Sequence, residues 1–286
     1  MGEKCKICGA GAQVAFQGRM LSKYTVDFYR CPECGLIFTQ PPHWLDEAYG
    51  EAINDLDLGY VGRNILCRDK LVGLLQRTPA IDSDGRFLDY GGGYGMFTRM
   101  MRDAGYDFYL TDKFCDNIFA KYFQADELPG GTRFEMVTCY EVFEHLQDPV
   151  AEMEKLLAYS RNIYFSTVLQ PAGQSLGSTD DWWYFVPETG QHIMFYTERS
   201  LAALAARFSL NYYTDGAELH LFTDKTLPAD YLRPVRVRLP PHVKLARRIA
   251  GKKAWTITPK ATPPRPSLIP ADLETVRAKL VTSQTK

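Results

Sequence analysis

The chain has 286 residues, 45% of them hydrophobic, and a formal net charge of −1, which is enough apolar material for one full α/β core with small additions. No apolar run approaches the ~20 residues of a membrane span, the N-terminus shows no apolar leader, and Lys6 breaks the myristoylation pattern that Gly2 begins, so the expected setting is the cytoplasm. The near-neutral total hides an asymmetry, because residues 233–265 hold ten Lys/Arg and no Asp/Glu.

Two cysteine pairs come first, Cys5-Lys6-Ile7-Cys8-Gly9 and Cys31-Pro32-Glu33-Cys34-Gly35. Two residues between cysteines let both sulfurs point at one ion, and the glycine that follows permits the tight turn of a knuckle. Two knuckles close a tetrahedral four-cysteine site, so Cys5, Cys8, Cys31 and Cys34 are expected to hold Zn2+. Disulfides and a redox pair are the alternatives. A chain kept reduced argues against the first, and the duplication of the motif against the second. Four thiolates leave no open position, which makes the site structural. Val14–Phe16 and Tyr24–Tyr29 read as hairpin strands between the pairs, and Leu36–Phe38 as a third strand before Pro41-Pro42. Cys67, Cys115 and Cys139 lack partner spacing and read as core residues.

Val61, Ile65, Leu66, Leu71, Leu74 and Leu75 predict an amphipathic helix. After it, Phe87-Leu88-Asp89-Tyr90 reads as a buried strand that runs into Gly91, Gly93 and Gly95. Phe97, Met100, Met101 and Ala104 then follow at helical spacing, and Gly105 stands where a left-handed cap belongs. Strand, glycine turn and helix bring backbone N–H groups up to a ligand. The dinucleotide spacing G-x-G-x-x-G fails, since Met96 or Thr98 occupies the third glycine position. A second strand, Asp107–Thr111, ends in Asp112, whose carboxylate can take both hydroxyls of a ribose.

Asp89, Gly91, Gly93 and Gly95 spell acid-x-G-x-G-x-G, and with Asp112 they resemble the first motifs of class I S-adenosylmethionine (SAM)-dependent methyltransferases. A zinc ribbon leading into such a fold is similar to bacterial methyltransferases concerned with sugars and surface polysaccharides. The resemblance implies a doubly wound, seven-stranded Rossmann-like α/β sheet with SAM as cofactor. It implies a lid near Tyr49 and Tyr60, although aromatic packing is the plainer reading of both. It also implies an adenine contact at Gln124 or Asp126. Phe134–Tyr140 reads as the next strand, and Glu141-Val142-Phe143-Glu144-His145 is similar to the E-V-x-E-H segment of small-molecule methyltransferases, which brings Tyr140 and Glu141 into the cofactor set.

Asp148 caps a helix that carries Val150, Met153, Leu156 and Leu157, with Pro149 in its first turn. Asn162–Val168 is the next strand. Trp182-Trp183 and Gly190–Tyr196 follow, where the family places acceptor loops, and these rings either platform a sugar face or plug the core. Thr197 caps a helix with Leu201, Leu204, Ala205 and Phe208. Asn211–Thr214 and Glu218–Thr223 read as an antiparallel pair. Beyond them prolines interrupt the chain, and the basic amphipathic segment Val243–Trp255 reads as a solvated tail, a peripheral contact with anionic membrane, or, ranked last, a nucleic-acid contact, with ordered packing on the main domain also open.

The expected organisation is a zinc ribbon at 1–42, a methyltransferase domain at 43–225 and a basic, Pro-rich tail at 226–286. The first expectation for function is O-methylation of a sugar or glycan-like small molecule. An RNA methyltransferase is the alternative, and a non-catalytic SAM-binding or zinc-ribbon interaction protein the third reading. A hydroxyl acceptor implies a general base, for which His192 is the first candidate, with His145 or Asp181 as substitutes.

Overall fold

The computed structural model describes residues 2–49, 58–77, 80–233 and 264–284. In chain order the hairpin strands β1 (Gln13–Met20) and β2 (Tyr24–Arg30) lead to β3 (Ile37–Thr39), the short helix α1 (Leu45–Ala48) and α2 (Tyr60–Leu75). The central unit follows as β4 (Arg86–Tyr90), α3 (Met96–Asp103), β5 (Asp107–Thr111), β6 (Met136–Cys139), α4 (Pro149–Tyr159) and β7 (Ile163–Ser166). It closes with β8 (Met194–Phe195), α5 (Glu198–Arg207), β9 (Asn211–Thr214), β10 (Leu219–Thr223) and α6 (Ile269–Gln284).

The larger sheet runs β5-β4-β6-β7-β10-β9. Its first four strands are parallel, and β10 is antiparallel to both neighbours. Strands covered on both faces read as continuous apolar runs, and every residue of β6, β7 and β10 is buried. The outcome is a mostly parallel α/β sheet. The described residues supply six strands to it, not the expected seven. Gln124 forms a lone parallel bridge with Leu110 at the outer edge. A 3-10 turn, Ala125–Glu127, starts at once behind it and ends the pairing.

The helix signals follow the capping rules. Asp148 accepts the N–H groups of Val150 and Ala151, with Pro149 in the first turn, and Thr197 forms a capping box with Ser200. The stripe expected on α2 is half right. Leu71, Leu74 and Leu75 are buried, whereas Val61, Ile65 and Leu66 face outward and Cys67 takes the inner position.

The ribbon is not a separate bead. Its sheet has the order β1-β2-β3-β8, so a strand from beyond residue 190 completes it. Ile7 and Phe38 share one apolar cluster with Val137, Phe143 and Leu201. Sheet and core therefore both cross the expected boundary at residue 42. The Val243–Trp255 segment lies outside the described residues, but the last stretch forms α6, docked on α3 and β5. Arg102 makes paired hydrogen bonds to Asp272, and Arg265 donates to the carbonyl of Gly105.

Candidate functional site

The glycine turn sits at the carboxyl end of β4, where ligands enter open parallel sheets. Gly91, Gly93 and Gly95 all have positive φ, at 73°, 56° and 85°, a region that costs side-chain-bearing residues about 1 kcal/mol or more. A Cβ on Gly91 would also stand 2.7 Å from Val142 Cγ2. Asp112, at the end of β5, turns back to the loop. Its Oδ2 accepts the Gly93 N–H at 2.9 Å, and its Oδ1 accepts those of Phe114 and Cys115. The two expected motifs are thus joined directly, and Oδ2 keeps the greater capacity for a further donor.

Asp89 occupies a different place from its expected partners. It lies beneath the turn, buried, and accepts hydrogen bonds from Thr138 at 2.9 Å and Thr98 at 3.4 Å. Burial raises its carboxyl to about 7, against the pull of those two bonds. Asp89 braces the loop from below. On the far side, the Tyr140 hydroxyl is buried with no hydrogen-bond partner among the described residues. Glu141 has φ +54°, an uncommon strain for a side-chain-bearing residue. Ser166 fixes it twice, taking the Glu141 N–H and donating to its Oε1, each at 2.8 Å. Gln124 lies at the sheet edge and Asp126 on the exposed face of the following turn. An orphaned buried hydroxyl, a glycine cradle and a carboxylate at the next strand end suit an adenosyl ligand.

Past Glu141 the chain makes a 3-10 turn, Phe143–His145. The Ile193 N–H bonds the carbonyl of Glu144 at 2.9 Å, and the Tyr196 hydroxyl bonds that of Phe143. This zip brings His192 to His145, with ring centroids 4.9 Å apart. Each imidazole has Nδ1 on a backbone carbonyl, His145 on Gln191 at 3.0 Å and His192 on Tyr184 at 2.7 Å. A carbonyl only accepts, so both Nδ1 atoms carry the proton and both Nε2 atoms keep a lone pair. Burial is the main cause that lowers His145 to about 4 and His192 to about 3, and for His192 the neighbouring His145 adds to it. Both rings are neutral at neutral pH.

The carboxylate beside them is Glu144, not Asp181. Asp181 accepts the N–H groups of Gly177 and Ser178 in an exposed capping turn. Glu144 is fully buried, accepts the Tyr184 hydroxyl on Oε1 at 2.6 Å, and has no partner for Oε2 among the described residues. Burial raises its carboxyl to about 7. Its place in the E-V-x-E-H segment was the only signal for it in the sequence. The two tryptophans divide the two readings between them. Trp182 plugs the ribbon core, and Trp183 is 73% exposed. Tyr60 places its hydroxyl 3.5 Å from where a Gly93 Cβ would be, and Tyr49 stacks on Phe114 with its ring edge toward His145.

At the other end, Cys5, Cys8, Cys31 and Cys34 converge, with sulfur pairs at 3.6, 3.4 and 3.9 Å. The two knuckles match bond for bond. Gly9 and Gly35 donate to the carbonyls of Cys5 and Cys31, and Cys5 and Cys31 donate to those of Ala10 and Leu36. A tetrahedral ion at ~2.3 Å from each sulfur requires sulfur pairs about 3.8 Å apart, so the donor set fits one metal ion.

A family model described as a methyltransferase domain matches residues 64–214, just over half of the chain. No characterised protein matches over its sequence. Among solved structures, CalO1, a methyltransferase in calicheamicin biosynthesis in its SAH-bound form, is similar at TM-score 0.40 and 14% identity, covering 64% of this chain and 60% of its own. The magnesium protoporphyrin IX methyltransferase ChlM of Synechocystis PCC 6803, with bound SAH, scores 0.39 at 14% identity, with 63% and 92% covered. The 1,6-didemethyltoxoflavin-N1-methyltransferase of Burkholderia thailandensis scores 0.40 at 14% identity, with 69% and 93% covered. The aligned part thus spans less than two thirds of the calicheamicin enzyme.

Proposed function

The chain belongs to the methyltransferase-domain family, and from that premise we propose that this SAM-dependent methyltransferase methylates a hydroxyl of a sugar or glycan-like small molecule. SAM supplies, when bound, a sulfonium methyl open to in-line attack. The Gly91–Gly95 turn and Tyr140–Glu141 would enclose its amino-acid part. Asp112 would hold the ribose hydroxyls, with the adenine beside Gln124. Asp126, on the solvent side of the turn, is the weaker candidate.

The acceptor side is the Glu144–His145–His192 cluster. An alcohol is a poor nucleophile until it loses its proton, and His192 Nε2 presents the lone pair that would take it. Its Nδ1–H, held by the Tyr184 carbonyl, fixes ring and tautomer together. That anchored tautomer is the single observation that carries the reading. Asp181 keeps its cap and has no part in it. Trp183, exposed, offers a flat face for an apolar sugar surface.

The four cysteines hold a structural zinc in this reading, which is supported by the matching knuckles. Protein incubated with SAM and extracts of host metabolites and glycans should yield a product one methyl heavier by mass spectrometry. His192→Ala should lower its formation by about 10²–10⁴-fold while SAM affinity stays the same. Undiminished turnover in His192→Ala would remove the base assignment, and a methylated nitrogen or carbon would remove the hydroxyl.

A further inference from the structure

Glu144, His145 and His192 carry an arrangement that proton transfer alone leaves unexplained. One ligand atom from each lies within 4.8 Å of the other two. Both histidines come with Nδ1 bound to a backbone carbonyl, which is how metal-ligating histidines are usually steered so that Nε2 can bind an ion. Glu144 comes with one oxygen bonded to Tyr184 and the other buried and unpartnered. A buried carboxylate oxygen without a partner is costly, and Oε2 has none within hydrogen-bond geometry among the described residues. The two rings turn Nε2, not the carbonyl-bound Nδ1, toward the cluster as ligand atoms. What carries the site is that three atoms able to ligate one ion converge on a single point.

We propose that this cluster binds a divalent first-row transition ion through Glu144 Oε2, His145 Nε2 and His192 Nε2. Two imidazoles and one carboxylate favour ions such as Mn2+, Fe2+, Co2+ or Zn2+ over Mg2+ and Ca2+, which prefer all-oxygen shells. Three protein ligands also leave coordination positions open, unlike the closed four-cysteine cluster. Ligands around such an ion stand about 3 Å apart, so side-chain rotations of an ångström or so complete the site. The hydrogen bonds behind the ligands are already in place. Tyr184 serves twice, with its hydroxyl on Glu144 and its carbonyl on His192.

The open positions suit oxygen ligands, and on the acceptor reading above they would take the hydroxyl that is methylated. With an ion bound, His192 Nε2 would be a ligand in place of the base role given to it above, and the ion would supply the charge that lets the hydroxyl lose its proton to water. Binding itself depends on neither SAM nor an acceptor, so the site and the substrate class can fail separately.

The probe is Mn2+, added to full-length protein loaded with a single equivalent of zinc, which the four thiolates take ahead of the imidazole cluster and which leaves that cluster free. Electron paramagnetic resonance should show free Mn2+ depleted by one ion per chain, and electron spin-echo modulation should show directly coupled imidazole nitrogen. Glu144→Gln and His192→Ala should each weaken binding at least tenfold, whereas Asp224→Asn, at an exposed carboxylate paired with Arg161, should leave the nitrogen coupling unchanged. Circular dichroism and SAM calorimetry check the fold of each variant. Bound Mn2+ without nitrogen coupling in the unaltered protein would overturn the proposal whatever the variants do. So would the absence of depletion at millimolar Mn2+.

Discussion

Arg102 and Asp272 face each other across two hydrogen bonds of 2.9 and 2.7 Å, with side chains only 5% and 6% exposed. Arg102 also bonds Asp107 and the Phe108 carbonyl and lies over the Phe123 ring, so one guanidinium pins α6, β5 and the sheet edge together. Removing one partner of a buried pair costs up to about 3–5 kcal/mol, here lessened on the Asp272 side by Arg99, whose Nη2 stands 2.8 Å from Oδ2. Arg102→Ala should lose about 3 kcal/mol in urea unfolding, because Asp107 and the Phe108 carbonyl lose their bonds along with Asp272. Truncation after Leu227 should lose less, because Asp107 still compensates Arg102. Equal losses would mean that α6 carries the stability by itself.

Asp112 ties the second strand end to the glycine turn before any ligand arrives, so its loss acts twice. Asp112→Ala should weaken SAM binding by about 1.5–3 kcal/mol per lost charged bond and also loosen Gly93. Asp112→Asn should retain part of the affinity, because an amide oxygen can still accept one N–H. Gly91→Val should abolish binding, with positive φ and the 2.7 Å approach to Val142 both against it. Calorimetry on the three variants checks this order, and wild-type affinity in Asp112→Ala would sink the ribose assignment.

The cysteine cluster should hold one zinc per chain, and Cys31→Ser should lose it. The disturbance should spread beyond the ribbon. Thr197 donates to the Cys34 carbonyl and Arg207 to that of Ile7, so α5 should gain hydrogen exchange along with β8. Exchange confined to residues before 42 would show that the ribbon moves alone.

His220 is buried and neutral, with Nε2 on the Thr167 carbonyl and Nδ1 near the Tyr212 hydroxyl. Burial lowers it to about 4 from 6.5. Above pH 6.5 neither the folded nor the unfolded form is protonated there, and His220 has no effect on the pH dependence. Between 6.5 and 4 the unfolded chain takes up a proton that the folded one refuses, so stability falls as pH falls, by about 3 kcal/mol in all. His220→Gln should flatten the slope of stability against pH in that window by about 1.4 kcal/mol per unit. An unchanged slope would mean that the ring is already protonated in the fold.

The motif-bearing half was legible because its signals are local. The glycine turn, the caps at Asp148 and Thr197, and the two knuckles each declare themselves within a few residues. What was missed depends on distance along the chain. Nothing near Met194 announces that it pairs with Phe38, since a two-residue strand has no periodicity to read. The stripe on α2 misled because Val61, Ile65 and Leu66 are apolar yet exposed, and apolar residues outside the core are common. Glu144 looked like motif filler until its unpartnered oxygen met the two rings. Helix α6 was hidden by the prolines before it, although Ser267 and Pro270 mark a helix start.

The pairing of β3 with β8 also sets a timetable for biosynthesis. Residues 37–38 reach the end of the ribosomal tunnel long before residues 194–195 do, by roughly ten to thirty seconds at usual rates of synthesis. Throughout that interval the ribbon has an open edge at β3, which is a template for mispairing with other nascent chains. Early metal capture by the knuckles would hold that edge in register while it waits. Cells starved of zinc during synthesis should therefore accumulate aggregated chains even if metal is restored afterwards.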